Sequence, residues 1–182
     1  IGEMLKVHML DSIGSLSTIV KNYNALLDNR TVLMKFLYRS LEIKKRFIEA
    51  DEFDKNIRNL LNYGHSFGHA IEAATDFKIP HGIAVSMGMD LANFVAKNIG
   101  VGTVEPFMIS HQTLKKNYKG YETEAVPMEL FKKSLKKDKK NVGSLLTLIL
   151  PNQDNILEKT QIEDTSKFWS LCETYFATVR AS

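Results

Sequence analysis

Residues 58–69 read RNLLNYGHSFGH, and the predictions of fold and chemistry depend on the polar pattern of this stretch. Apolar residues recur around it at helical spacing, which predicts one helix from about Asn56 to Thr75. The polar residues at positions i, i+4, i+7 and i+11 of that helix are Arg58, Asn62, His65 and His69. Helical geometry would align these four side chains, with apolar residues toward the opposite, core-facing side. A merely solvent-exposed face would carry Lys and Glu, so this line is predicted to bind a ligand.

Two histidines four residues apart, His65 and His69, can share one metal ion or divide metal binding and proton transfer between them. The spacing leaves both open, and hydrogen-bonded core histidines are a third alternative. His81 begins the next predicted helix, and it could reach back across a helical hairpin toward His65. Gly64 and Gly68 would each cost a helix about 1 kcal/mol relative to Ala. We therefore expect another element or a ligand to approach closely there.

The rest of the chain predicts a mainly α-helical fold of many helices with one small β-hairpin. The other predicted helices cover residues 3–29 with a break near 15–17, and residues 31–50, 82–98, 104–118, 128–137 and 165–180. One strand, Leu145–Leu150, is predicted before Pro151. Thr31 is expected to cap its helix. The buried stripe of that helix is predicted to contain Leu33, Phe36, Leu37, Leu41, Phe47 and Ile48.

Composition restricts the class of protein. The chain has 182 residues, 44% of them apolar, which is enough for one globular domain with its own core. A net charge of only +3 argues against binding to a nucleic-acid backbone. Cys172 is the single cysteine, so a metal site must use histidine and carboxylate side chains. No apolar run approaches the roughly 18 residues of a membrane span, and we expect a soluble, cytoplasmic protein.

Three charged features outside the histidine segment each have a structural and a functional interpretation. Lys44 falls on the predicted apolar stripe of its helix, where it either extends to solvent or meets an anion. Glu3 and Lys6 are one turn apart, and on their own they indicate no more than a weak helical ion pair. The basic cluster at residues 136–140 is most often a solvent-exposed face, although the following strand could fix one lysine at a phosphate.

The segment NYGHSFGHAIE, residues 62–72, closely resembles the signature of the 3-dehydroquinate synthases, a family of sugar-phosphate cyclases. The resemblance covers the whole chain, as the helical second half of that family. It includes the EMLK stretch at residues 3–6, which is similar to a glutamate-x-x-lysine element, Lys44, Asp51-Glu52, Arg58, His81-Gly82, AVSMGM at residues 84–89, and DKK at residues 138–140.

The resemblance implies a zinc ion, or another divalent metal, held by Glu3, His65 and His81, with open positions for substrate hydroxyls. The implied catalytic residues are His69, which also contacts the substrate phosphate, Lys6 and Asn62. The implied substrate-binding residues are Lys44, Asp54, Arg58, Lys139 and Lys140. Two positions differ from the family's usual glutamate: Asp54 is one methylene shorter, and Ile83 follows the His-Gly pair.

The resemblance also implies the reaction. Such enzymes transiently oxidise a keto-acid sugar phosphate with NAD+, eliminate phosphate, reduce the product again and close a carbocycle. The implied substrate is 3-deoxy-D-arabino-heptulosonate 7-phosphate, of the shikimate pathway. This sequence contains no Gly-rich dinucleotide-binding segment, so NAD+ would be bound mainly by an N-terminal half. We expect residues 1–182 to be a single domain of a longer enzyme, inactive alone and homodimeric when complete.

Three other functions stay open at this point. A cyclase such as 2-deoxy-scyllo-inosose synthase uses a substrate without a carboxylate, and tends to differ at positions corresponding to Arg58 and Asn62. A non-catalytic helical interaction domain would keep the motif without binding zinc. An iron- or zinc-dependent alcohol dehydrogenase has a similar helical metal domain, but a simple alcohol substrate would not require Lys44 and Arg58.

Overall fold

The computed structural model describes residues 1–53, 57–138, 141, 143 and 145–182. Its helices are α1 (Gly2–Asp11), α2 (Ile13–Lys21), α3 (Tyr23–Asp28), α4 (Arg30–Ala50), a 3-10 helix (Ile57–Asn62), α5 (His65–Ala74), α6 (His81–Ile99), α7 (Glu105–Asn117), α8 (Met128–Lys136) and α9 (Ser166–Thr174), followed by a π-helical turn (Tyr175–Val179). Strands β1 (Leu145–Pro151) and β2 (Leu157–Glu163) form an antiparallel hairpin. The predicted fold class, mainly α with a small hairpin, is therefore confirmed.

The N-terminal helices begin where polar side chains cap them. The predicted break at residues 15–17 is wrong, because α2 already begins after Ser12, whose hydroxyl accepts a hydrogen bond from the Ser15 amide at 3.0 Å. Thr31 is not the cap of α4. Asn29 takes that role, and its side-chain oxygen accepts hydrogen bonds from the amides of Thr31 and Val32.

The segment predicted as one helix from Asn56 to Thr75 is two helices. The 3-10 helix ends at Asn62, and α5 begins at His65, immediately after Gly64. Gly64 has a φ of 76°, a left-handed conformation that glycine adopts without the steric penalty of a side chain. The predicted single line of four polar residues is therefore wrong, because helical spacing does not continue across this break.

Glycines allow α5 and α6 to pack closely, as the sequence led us to expect. A Cβ atom on Gly68 would lie 3.0 Å from the Cα of Val85, and one on Gly88 would lie 2.1 Å from the carbonyl oxygen of Gly64. Backbone thus contacts backbone along this helical hairpin. Because α6 is buried along most of its length, the hairpin forms the centre of the fold and fixes His81 opposite α5.

The buried face of α4 differs from the predicted stripe. Its buried residues are Phe36, Ser40 and Ile43, at i, i+4 and i+7. Three residues of the predicted stripe, Leu37, Leu41 and Ile48, are 39%, 54% and 42% exposed. The prediction is confirmed for Phe36, which is buried, and for Leu33, which packs partly buried against the core. It is wrong for Leu37, Leu41 and Ile48, because the buried face instead includes Ser40 and Ile43.

A buried carboxylate ties the C-terminal part to α6. Asp90 accepts hydrogen bonds from the hydroxyls of Tyr118 and Tyr175, both at 2.9 Å, and its other contact is Nδ1 of His111. These contacts join α6, α7 and the π-helical turn, and they satisfy a polar group that would otherwise be costly to bury. None of the helices in the described ranges is long and apolar enough to cross a bilayer.

Candidate metal and substrate site

Three histidine side chains converge where α5 and α6 begin. The ring centroids of His65 and His69 are 5.5 Å apart, those of His65 and His81 are 5.5 Å apart, and those of His69 and His81 are 5.7 Å apart. His65 and His81 are the first residues of their helices, and His69 lies one turn into α5. The expectation that His81 reaches back toward His65 is confirmed.

Helices α1 and α4 add a carboxylate and two ammonium groups to this cluster. One oxygen of Glu3 lies 2.8 Å from Nζ of Lys6, and the other lies 2.9 Å from Nζ of Lys44. The first oxygen is also 3.9 Å from Nε2 of His65. Lys6 is only 3% exposed, whereas the side chains of Glu3 and Lys44 are 49% and 36% exposed, so the cluster extends from the interior to the surface. Of the two interpretations of Lys44, the structure favours contact with an anion, and that anion is Glu3.

The two lysines control the ionisation of Glu3. Burial raises the pKa of the carboxyl, but hydrogen bonds and charges from Lys6 and Lys44 outweigh that effect and lower the pKa to about 2. For Lys6, burial lowers the pKa of the ammonium, and the Glu3 carboxylate opposes this change. An ionised carboxylate therefore stands beside His65 near neutral pH.

Two of the three imidazoles are held by hydrogen bonds that leave Nε2 available. The Nδ1 atom of His65 lies 3.2 Å from the carbonyl oxygen of Tyr63. The Nδ1 atom of His81 lies 3.1 and 3.2 Å from the two carboxylate oxygens of Glu72. An Nδ1–H donated to such an acceptor fixes the tautomer whose Nε2 can bind a metal. For His69, no hydrogen bond to either nitrogen is found within the described ranges.

Burial keeps the His65 ring neutral. Desolvation lowers its pKa from 6.5 to about 4, and the neighbouring positive charge of Lys6 acts in the same direction. The neutral imidazole is the form that coordinates metal ions.

Two combinations of these side chains have the donor types of a zinc site. Within the described residues, the potential ligand atoms of His69, Glu72 and His81 all lie within 4.8 Å of one another. For the set that the resemblance implies, Glu3 with His65 and His81, the structure gives a Glu3–His65 distance of 3.9 Å and a separation of 5.5 Å between the two ring centroids. Both combine imidazole nitrogen with carboxylate oxygen and leave a fourth position open, as in catalytic zinc sites.

The remaining predicted site residues are placed differently. Arg58 and Asn62 lie on the 3-10 helix, which packs against α1 and α4. Their side chains donate to nearby backbone carbonyls, Arg58 to Glu52 at 2.9 Å and Asn62 to Asn59 at 3.1 Å. Within the described residues, no hydrogen bond or ion pair joins them to the histidines. The predicted residues Asp54, Lys139 and Lys140 lie outside the described residues.

A groove of about 530 Å³ between α5 and the end of α8 exposes His69 on its wall. Its lining residues are Ser66, His69, Ala70, Ala73, Ser134, Lys137 and Asp138. The hydroxyl of Ser66 donates to a carboxylate oxygen of Asp138 at 2.9 Å, which joins the two walls. Neither His65 nor His81 lines this groove, so a ligand lying in it would contact His69 alone of the three histidines.

Two features of the site were not predicted. Glu72, seven residues after His65, was recognised only as part of the sequence signature, although a carboxylate on the buried face of α5 was a usable signal. The Ser66–Asp138 contact joins residues far apart in sequence, and no local pattern could have indicated it.

Two solved structures share this fold. A 2-epi-5-epi-valiolone synthase from Streptomyces hygroscopicus subsp. jinggangensis 5008, with NAD+ and Zn2+ bound, superposes with a TM-score of 0.70 at 17% identity, over 97% of this chain and 49% of that chain. A 2-deoxy-scyllo-inosose synthase, complexed with carbaglucose-6-phosphate, NAD+ and Co2+, gives a TM-score of 0.65 at 20% identity, over 80% and 42%. This chain therefore shares its fold with part of these two synthases.

Sequence comparison defines the family. Residues 1–141 match the family described as 3-dehydroquinate synthase C-terminal, and the chain belongs to that family. The 3-dehydroquinate synthase of Helicobacter pylori strain G27 is 34% identical over 134 residues, which are 73% of this chain and 39% of that enzyme. The enzyme of Thermoanaerobacter sp. strain X514 is 31% identical over 153 residues, 83% and 43% respectively. The chain thus spans about two fifths of the length of these relatives.

Proposed function

We propose that this chain is the metal- and substrate-binding domain of a 3-dehydroquinate synthase. The enzyme would convert 3-deoxy-D-arabino-heptulosonate 7-phosphate into a carbocycle with loss of phosphate. The observation that carries the proposal is the convergence of His65, His69 and His81 beside Glu3, with Lys6 and Lys44 in contact with that carboxylate. Membership of the family and the names of its curated relatives support the same reaction.

Glu3, His65 and His81 would hold the metal ion. Both histidines have Nδ1 occupied by an oxygen acceptor, and Glu72 is already used as the acceptor for His81. This favours Glu72 as the group that orients His81 rather than as a ligand. A divalent ion bound here would polarise a substrate oxygen. Zn2+ and Co2+ in the two similar solved structures support this type of ion.

Lys6 and Lys44 would bind the oxygen-rich end of the substrate. They place two positive charges within hydrogen-bonding distance of one carboxylate, Glu3, so a second carboxylate or a hydroxyl near them would be stabilised. Arg58 and Asn62 would extend this surface from the adjacent 3-10 helix. A carboxylate on the substrate is what distinguishes dehydroquinate formation from cyclisation of a sugar phosphate that has no carboxylate.

His69 would act on the phosphate side. Its ring has no hydrogen bond within the described ranges, and it lines the groove that also contains Lys137. An imidazole free of structural hydrogen bonds can donate to a phosphate oxygen or transfer a proton. A cation across the groove would stabilise the phosphate as it leaves.

The hydride chemistry would depend on NAD+ bound mainly by an N-terminal half, because this sequence has no Gly-rich dinucleotide-binding segment. We also propose that the complete enzyme contains this N-terminal half, forms a homodimer and is cytoplasmic. The domain alone would then bind metal and anions without turnover.

The proposal is tested by joining this chain to a nucleotide-binding half and measuring phosphate release with NAD+ and Zn2+ present. We expect release from 3-deoxy-D-arabino-heptulosonate 7-phosphate and none from glucose 6-phosphate, which has no carboxylate. Release of phosphate from glucose 6-phosphate, but not from the keto-acid phosphate, would assign the chain to another cyclase. Release from neither, in a folded and metal-loaded protein, would favour a non-catalytic domain.

A further inference from the structure

The carboxylate of Asp138 lies in the groove beside His69, which is unexpected for a site that binds an anion. Asp138 lines this groove with Lys137. Its negative charge would repel a bound phosphate if it faced the ligand directly. One of its oxygens instead accepts the hydrogen bond from Ser66 at 2.9 Å, which points to a role in holding the walls together.

Ser66 and His69 lie three residues apart on α5, so they share the face that lines the groove. The Ser66 contact therefore fixes the opposite wall close to His69. Ser66 is also buried, which protects its hydrogen bond from competition by water. A hydrogen bond from a hydroxyl to a carboxylate is among the stronger ones in proteins.

Lys136 and Lys137, the two lysines before Asp138, have different contacts. Lys136, the last residue of α8, pairs with Asp164 at 2.6 Å and does not line the groove. Lys137 does line it, and it immediately precedes Asp138 in the chain. Lys137 is thus the described lysine that lines the groove, and it is the chain neighbour of Asp138.

A second anchor holds the chain just beyond. The side-chain amide of Asn141 donates to the carbonyl oxygens of Leu135 and Lys136, at 2.9 and 3.1 Å, at the end of α8. Its oxygen accepts a hydrogen bond from the amide of Thr147 in β1 at 2.8 Å. Asp138 is therefore joined to α5, and Asn141 is joined to α8 and β1.

We propose that Asp138, through its hydrogen bond with Ser66, is a positioning residue that fixes Lys137 opposite His69 in a phosphate-binding groove. The inference rests on the proposed function for the identity of the anion. It adds Lys137 as a phosphate contact and gives Ser66 and Asp138 a part in binding without direct contact with the substrate.

The test measures the affinity for inorganic phosphate by calorimetry on the complete metal-loaded enzyme, together with KM and kcat. Ser66→Ala is expected to weaken phosphate binding and to raise KM about tenfold, with kcat changed less than about threefold, since one charge-assisted hydrogen bond is lost. Ser66→Thr keeps the hydroxyl and should stay within about twofold of the wild type. Ser170→Ala is the matched control, because Ser170 lies exposed on α9 and does not line the groove, and it should change neither phosphate affinity nor KM.

A positioning role also predicts non-additivity. Lys137→Gln should weaken phosphate binding about tenfold. Adding Ser66→Ala to it should cost less than a further twofold or so, because Ser66 acts through that lysine. Additive losses, or an unchanged phosphate affinity in Ser66→Ala and Asp138→Ala, would overturn the inference. A wild-type enzyme that binds phosphate but does not turn over the keto-acid phosphate would contradict the proposed function while leaving the groove assignment supported.

Discussion

The Nδ1 atom of His81 lies 3.1 Å from the carboxylate of Glu72, across the hairpin formed by α5 and α6. The contact orients the imidazole and directs its Nε2 away from the carboxylate. Ile83 stands where the resembled family usually has a glutamate, and Glu72 shows that a carboxylate partner for His81 is nevertheless present.

Glu72→Gln is predicted to lower zinc affinity by about 10- to 100-fold, because the amide is a weaker acceptor for the His81 N–H and no longer increases the basicity of the ring. Competition with a chelating dye measures this affinity. Glu49→Gln, in the exposed last turn of α4, is the control and should not change it. Equal affinities for wild type and Glu72→Gln would show that Glu72 does not support the metal site.

Gly88→Ala is predicted to destabilise the fold by about 1–3 kcal/mol, because overpacking forces neighbouring backbone apart. Its added Cβ would lie 2.1 Å from the carbonyl oxygen of Gly64. Gly82→Ala, in the same helix and with no atom within 4 Å of its Cβ, should be neutral or stabilising by up to about 1 kcal/mol. Urea unfolding measures both. If Gly88→Ala were as stable as Gly82→Ala, the close packing of α5 and α6 would be refuted.

Ile43→Ala is predicted to cost about 2–5 kcal/mol of unfolding free energy, since Ile43 is fully buried on α4. Leu41→Ala should change it by no more than about 0.5 kcal/mol, because Leu41 is 54% exposed. The two substitutions lie two residues apart on the same helix and remove similar side chains. A larger loss of unfolding free energy in Leu41→Ala than in Ile43→Ala would instead support the buried face that periodicity predicted.

The sequence predicted the helical fold, the hairpin and the meeting of His65 with His81, because each depends on local periodicity and on one short connection. Gly64 was misassigned because a glycine in a helix and a left-handed glycine before a helix look the same in sequence. Ser12 and Ser15 are both acceptable caps by type, and only tertiary packing selects between them. The α4 face was misassigned for a similar reason, since Leu41 and Ile43 are equally apolar.

The site also contains residues that the sequence could predict and contacts that it could not. His65, His69 and His81 share a signature within a short stretch, so they could be predicted together. Glu3 was placed by resemblance, and the structure brings it to 3.9 Å from His65. Contacts between distant segments, such as that of Ser66 with Asp138, depend on how α8 packs against α5, which no local pattern encodes.

The central claim, that Glu3, His65 and His81 bind the metal while His69 remains free for the substrate, is tested most directly by elemental analysis of the purified zinc-loaded protein. The account predicts about one zinc per chain in the wild type and in His69→Ala, and almost none in His65→Ala or His81→Ala, with circular dichroism confirming that each variant is folded. Loss of zinc in His69→Ala with full zinc in His65→Ala would contradict it, and would assign the site to His69, Glu72 and His81.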